Sequence, residues 1–234
     1  LLNLTNSTPI VEPVSIGIVE LPTTPSSSST SATSPSWTDG IYTVITKYSD
    51  IAYNTTLGPW KLFNNIYTTD YPDDCLHTTQ IFKGTGSTTT NGVYSGATRF
   101  MGNAGVVVHI DLGRPIILRA MEIAPRNIAG YAQRASPKRF KIYASNDSAC
   151  WTNNNHTSWI EIHNQTTDLT WTTGTRTPFG NFIAIADLYQ YFALVVTNTN
   201  GGDFGYLIIS EWNIYGLSNQ IPVVIYSDYK YLAF

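Results

Sequence analysis

Charge is scarce in this chain: 13 Lys and Arg stand against 16 Asp and Glu in 234 residues, leaving a net charge of -3 and a pI near 5.7. No global positive field exists to draw in nucleic acid or an anionic bilayer, so neither is expected as a partner. Cysteine is scarcer still. Cys75 and Cys150 are the only two, too few for a four-cysteine zinc cage and not part of a C-x-x-C unit. In an oxidising compartment they could pair; otherwise they are two small buried apolar residues. No apolar run approaches the roughly 18 residues that a membrane-spanning helix needs, so no membrane insertion is expected. Catalytic signatures are missing too. No G-x-S-x-G surrounds any serine, His77, His109, His156 and His163 form no H-E-x-x-H, and no phosphate-binding loop occurs. The chain therefore reads as a non-enzyme.

What is abundant is turn chemistry and β-forming residues. Aromatics make up 13% of the chain, with Ser, Thr, Asn and Gly at the polar positions, a composition that suits short strands joined by hydrogen-bonding turns. Six N-x-Ser/Thr sequons begin at Asn3, Asn6, Asn54, Asn146, Asn155 and Asn164, which points to an extracellular, surface-exposed chain that carries glycans. The chain opens on leucine, and its natural start is expected upstream.

Composition divides the chain into four stretches. Residues 1–22 mix sequons with an apolar run, Ile10 to Leu21, that Pro13 and Pro22 interrupt; such a piece can add an edge strand but cannot be a helix. Residues 23–36 are almost pure Ser, Thr, Pro and Ala and read as linker, since they cannot bury enough surface to offset ordering entropy. Residues 37–217 form one module of alternating apolar runs and turns. Residues 218–234 are an apolar, aromatic tail that would be sticky in water, so packing on its own domain or on another chain is expected.

Within the module no segment holds a helical period for three turns. Val106 to Gly113 reads as a strand closed by a glycine turn, with a second strand, Ile116 to Ile123, after Pro115. Trp159 to His163 alternates, as does Tyr191 to Val196. His109, between Val108 and Ile110, is expected on the less apolar face of its strand. Trp212 follows Glu211, so one of the two is expected inside and the other outside. In Ser136-Pro137-Lys138-Arg139-Phe140-Lys141-Ile142-Tyr143-Ala144-Ser145-Asn146-Asp147, Phe140, Ile142 and Ala144 alternate with Arg139, Lys141 and Tyr143, a half-buried strand running into a polar turn. Ile208-Ile209-Ser210-Glu211-Trp212-Asn213-Ile214-Tyr215-Gly216 is a second such strand. These runs imply a β-sandwich.

Those two strands are joined in order by Leu62-Phe63-Asn64-Asn65, Leu76-His77-Thr78, Val108-His109-Ile110-Asp111-Leu112-Gly113 and Ala124-Pro125-Arg126. The ordered set resembles the discoidin-like family of coagulation-factor C-type modules and family 32 carbohydrate-binding modules, over roughly Trp37 to Gly216. Its form is similar to that of surface proteins of large algal viruses and marine microbes. The resemblance implies an eight-stranded antiparallel jelly-roll β-sandwich with loops gathered at one end, here flanked by extended N- and C-terminal segments. It implies a structural calcium beside Asn64 and Asn65, which replace the family's Asp-Gly pair, closed by Glu211. Asparagine amides are weaker ligands for a hard cation than carboxylates, and Glu211 can equally be a strand carboxylate facing water or an arginine. Asp70, Asp73 and Asp74 lie nearby in sequence.

The family's sugar-binding members use a histidine in a Trp-His-Ser/Thr unit and an arginine at a strand end. His77 and Arg126 match those positions, with Leu76 in place of the tryptophan. An imidazole and a guanidinium offer directional donors to hydroxyls, and an aromatic face covers the apolar side of a sugar ring. Gln133 and Arg134 in the next loop add polar groups, and Phe204 or Tyr206 among glycines supplies a ring. Arg126, Arg134, Lys138, Arg139 and Lys141 either form a patch for sulfated or carboxylated glycans or are ordinary surface charges. The expected function is a surface-displayed binding module for glycans or a glycosylated partner, in attachment or adhesion. The alternatives are a capsid-decoration, spike or fibre component that self-assembles or meets another structural protein through its termini, and an accessory domain of a secreted enzyme.

Overall fold

The computed structural model describes residues 15–16, 28–29, 36–38, 43–46, 58–63, 67–68, 75–82, 92–179, 187–200 and 205–218. Along them run β1 (Ser15–Ile16), β2 (Ser28–Ser29), β3 (Ser36–Thr38), β4 (Thr43–Thr46), β5 (Leu76–His77), β6 (Arg99–Phe100) and β7 (Asn103–Ala104). There follow β8 (Val106–Pro125), β9 (Pro137–Ser145), β10 (Ile160–Gln165), β11 (Thr177–Phe179), β12 (Leu188–Thr199) and β13 (Ile208–Ser218). Among the described residues helix is confined to α1 (Tyr131–Arg134) and two 3-10 turns, Pro59–Phe63 and Ser148–Thr152. All the strand ladders are antiparallel. The fold is all-β, as the alternation of short apolar runs and turns requires.

The long strand β8 organises the sheet, and it corrects one expectation. Val106–Gly113 and Ile116–Ile123 are not two strands separated by a turn but one strand of 20 residues. Gly113 adopts a left-handed φ of 67° and donates its N–H to Asp111 Oδ1 at 2.8 Å. Pro115 beside it has no N–H to give to a ladder. The chain therefore bulges instead of reversing: the register on β12 jumps from Asp111↔Tyr191 to Ile116↔Tyr189. Before the bulge β8 pairs with β12 and β4, so that the strand order is β10-β9-β12-β8-β4-β3-β2; beyond it β8 pairs with β13 and β11. β13 carries β5 and β1.

The two halves of this bent sheet face each other across the main core. Val106, Val108, Ile110 and Leu112 from the first half meet Leu118, Met121 and Ile123 from the second, along with Phe140, Ile142, Phe192, Leu194, Trp212 and Ile214. Inward residues change from even to odd numbers along β8 where the register slips, from Gly216↔Leu118 to Tyr215↔Ala120.

A second apolar cluster covers the opposite face: Phe100, Val107, Tyr143, Cys150, Trp159, Tyr191, Ala193 and Val195. Burial overturns three further expectations. Tyr191 to Val196 does not alternate but is buried throughout, because β12 lies between β9 and β8 with both faces covered. His109 is fully buried, ringed by Phe100, Trp151 and Trp159 at centroid distances of 5.3, 5.8 and 5.5 Å. Glu211 and Trp212 are both fully buried, since β13 is also covered on its two faces. Neither cysteine is in a disulfide. Cys75 packs with Ala135 and Ile208, while Cys150 packs in the second cluster.

Much of the 1–22, 23–36 and 218–234 stretches, with the runs Ile10 to Leu21 and Ile221 to Phe234, lies outside the described residues. The described piece Ser15–Ile16 pairs with Gly216 and Leu217 of the same chain. Among the described residues no helix is long and apolar enough to cross a membrane.

Candidate functional site

Strand β13 brings the candidate residues together. Its Ile209 pairs with Leu76 of β5 on one side and with Pro125 of β8 on the other. His77 and Arg126, each one residue farther along, therefore flank the start of β13, and Tyr206 stands just before that strand. Thr78 fastens the arrangement: its Oγ1 accepts the Leu207 N–H at 2.9 Å, and its own N–H donates to the Leu207 carbonyl at 3.0 Å. Leu76, where the resemblance implies tryptophan, is an ordinary core residue.

His77 is only 8% exposed. Burial holds its pKa below the usual 6.5; the Thr78 carbonyl opposes this, and the positive charge of Arg126 reinforces it. The ring is thus neutral near pH 7. Its Nδ1 lies 2.9 Å from the Thr78 carbonyl oxygen, which can only accept, so Nδ1 carries the proton and Nε2 is the acceptor. The imidazole therefore offers an acceptor where a donor was expected. Tyr206 lies against it, ring centroids 4.8 Å apart, and its hydroxyl accepts from Gln80 Nε2 at 2.7 Å.

Arg126 spreads its guanidinium 4.8 Å from the centroid of the Tyr131 ring, a cation–π contact that fixes a long side chain. Its Nε is buried and has no hydrogen-bond partner among the described residues. The expected alternative partner, Glu122, instead accepts the Tyr215 hydroxyl at 2.7 Å. Tyr131 and Tyr206 pack on one small cluster with Cys75, Ala135 and Ile208. Gln133 is exposed on the same short helix as Tyr131, but its amide serves the local turn, accepting from Gly130 N–H at 3.1 Å and donating to the Trp171 carbonyl at 3.3 Å. Phe204 lies outside the described residues.

Four of the five basic residues have close partners. Asp168 pairs with both Lys138 and Arg139, Lys141 Nζ lies 2.7 Å from Glu161 Oε2, and Arg126 sits on Tyr131.

Of the candidate calcium ligands, Asn64 and Asn65 lie outside the described residues, as do Asp70, Asp73 and Asp74. Glu211 is buried on β13 opposite Ala124. Phe63, the residue before Asn64, packs on Trp212 of β13 with ring centroids 5.7 Å apart. Among the described residues no three His, Cys, Asp or Glu side chains gather into a metal-binding group.

No protein-family model and no curated protein matches the chain. Similar solved structures include a family 32 carbohydrate-binding module from Clostridium perfringens in complex with galactose, at 10% identity and TM-score 0.47, covering 78% of this chain and 98% of that one. Another is a family 32 module from a family 31 glycoside hydrolase of Clostridium perfringens, at 16% identity and TM-score 0.45, covering 74% and 93%. A family 89 glycoside hydrolase from Clostridium perfringens is similar at 15% identity and TM-score 0.44 over 76% of this chain; the chain spans 14% of that protein's length.

Tyr131 and Gln80, which touch the candidate residues, were not singled out in the sequence, and Thr78 was so only as a member of the Leu76-His77-Thr78 motif. The only signal available was Thr78's place after His77. Contact between Tyr131 and Arg126 depends on the helix turn at Gly130, whose left-handed φ of 87° is not written in any motif.

Proposed function

We propose that this chain is a non-catalytic, extracellular carbohydrate-binding module of the discoidin-like type, acting in attachment. Its sugar seat is formed by His77, Arg126 and Tyr206, with Phe204 as the further ring the resemblance implies and Gln133 at the rim. The observation that carries this reading is the juxtaposition of a neutral, oriented His77 with the Tyr206 ring and with the Arg126 charge. A sugar hydroxyl is both donor and acceptor. His77 Nε2 takes its proton, Arg126 donates to its oxygens, and an aromatic ring covers the C–H face of the pyranose. The motif set in its sequence order supports the same reading.

A structural calcium shared by Glu211, Asn64 and Asn65 is the reading the resemblance implies; in its support, the Glu211 carboxylate is fully buried on β13, the strand whose Trp212 packs on Phe63. The deciding experiment is a glycan array on the wild type and on His77→Ala/Arg126→Ala. It should include galactose and GalNAc-β-1,3-galactose, the sugars bound by similar modules. Retention by the wild type and loss in the double variant are expected; silence of the folded wild type across the array contradicts the proposal. Single modules bind weakly, so display should be multivalent.

A further inference from the structure

Strand β10 ends the sheet, pairing only with β9 among the described residues. An end strand offers its backbone groups to any passing chain and is normally blunted by charge, proline or cover. This one is not well protected by its own side chains: Ile160 at its start is 51% exposed.

Three of the six sequons lie along this edge. Asn164 sits on β10 opposite Lys141, Asn155 lies in the loop that enters β10, and Asn146 lies in the turn that leaves β9. The two loop sequons are close in space, because Asp147 Oδ2 and His156 Nδ1, the neighbours of Asn146 and Asn155, are 3.8 Å apart. Ser145 Oγ and Ser158 Oγ tie the same loop ends at 2.9 Å. Asn164 lies four residues beyond Ile160, about 13 Å along the strand. All three asparagines are exposed, as are the hydroxyl residues two positions on, Ser148, Thr157 and Thr166. None of the three side-chain amides has a hydrogen-bond partner among the described residues. Amide nitrogen and hydroxyl are therefore reachable together, as the modification requires.

We propose that the β9–β10 edge is N-glycosylated at Asn146, Asn155 and Asn164, and that the glycans cover the open edge of β10. The donor is a lipid-linked glycosyl diphosphate. Asparagine Nδ2 bonds to the anomeric carbon, the bond from that carbon to the diphosphate oxygen breaks, and one amide proton leaves to a base of the transferase. β9, β12, β8 and β13 separate β10 from β5, so this edge is distinct from the His77 region and does not depend on the sugar-binding proposal.

The test is expression of the full chain through a eukaryotic secretory pathway, with peptide masses read after peptide:N-glycosidase release in heavy-oxygen water. Conversion to labelled aspartate is expected at all three positions, and each Asn→Gln variant should lose one glycan-sized step of mass. If secretion is poor, occupancy is read on the retained, membrane-enclosed fraction, which has met the same transferase. An unlabelled Asn164 overturns the edge assignment, and three unlabelled sites overturn the proposal. Native deglycosylation followed by light scattering reads the covering role: self-association is expected, and an unchanged monomer overturns it.

Discussion

The rings of His77 and Tyr206 lie 4.8 Å apart and 51° from parallel, although 129 residues separate them in the chain. The contact follows from the antiparallel pairing of His77 with Ile208, two residues beyond Tyr206. It places a hydrogen-bonding ring against an apolar one at a strand end, the combination a pyranose needs.

Acid should weaken the fold. Burial is the main cause that holds the pKa of both His77 and His163 below 6.5 in the native state. The unfolded chain takes up protons at these rings near 6.5, whereas the folded chain resists until lower pH, so their stabilising contribution is present above 6.5 and lost as pH falls through the native values. Urea midpoints between pH 8 and pH 5 should fall on the acid side, and His77→Gln should flatten the slope. An unchanged slope in that variant would contradict the buried, neutral ring.

Calcium should raise the melting temperature if Glu211 closes a cation site, because a ligand that binds only the folded state stabilises it. A scan with calcium and with a chelator checks this, and Glu211→Gln should abolish the difference. Identical curves for the wild type would remove the cation from the account.

Two thiols should be titratable per chain in denaturant without reductant, and neither should react quickly in the native protein, since Cys75 and Cys150 are each no more than 1% exposed and packed in separate clusters. A thiol count of zero in denaturant would show a disulfide and contradict this packing.

Gly105→Ala should destabilise by about 1–3 kcal/mol, the usual range for forcing a group into a filled core. An added Cβ would lie 2.6 Å from the Val196 carbonyl oxygen, a backbone atom held in the ladder to β8. Chemical denaturation measures the difference; wild-type stability would show that the strand can yield.

Phe140, Ile142 and Ala144 were legible as an inward stripe because period-two alternation survives wherever one face is apolar enough to declare itself. The same rule misplaced His109 and the partner face of Tyr191 to Val196. In the second cluster Phe100 of β6, Trp159 and the 3-10 turn at Ser148–Thr152 cover that outer face, and alternation cannot report a cover supplied from far along the chain. Gly113 with Pro115 read as a turn because the local chemistry of a bulge and of a reversal is the same; only pairing with β12 and β13 distinguishes them. In the candidate site, motif order singled out His77 and Arg126 and neighbouring glycines singled out Tyr206, and the structure brings the His77 and Tyr206 rings together. Tyr131 and Gln80, which hold Arg126 and Tyr206 in place, were not singled out, because their contacts are tertiary.

The most direct test of the sugar-binding account is calorimetric titration of the folded wild type and of His77→Ala with the best array glycan, at pH 7.5 and at pH 5. The account predicts saturable binding at pH 7.5, binding that weakens in the acid direction, in which His77 Nε2 gains a proton, and at least a tenfold loss, about 1.4 kcal/mol, in His77→Ala at pH 7.5. Equal affinity in wild type and variant at both pH values would contradict it.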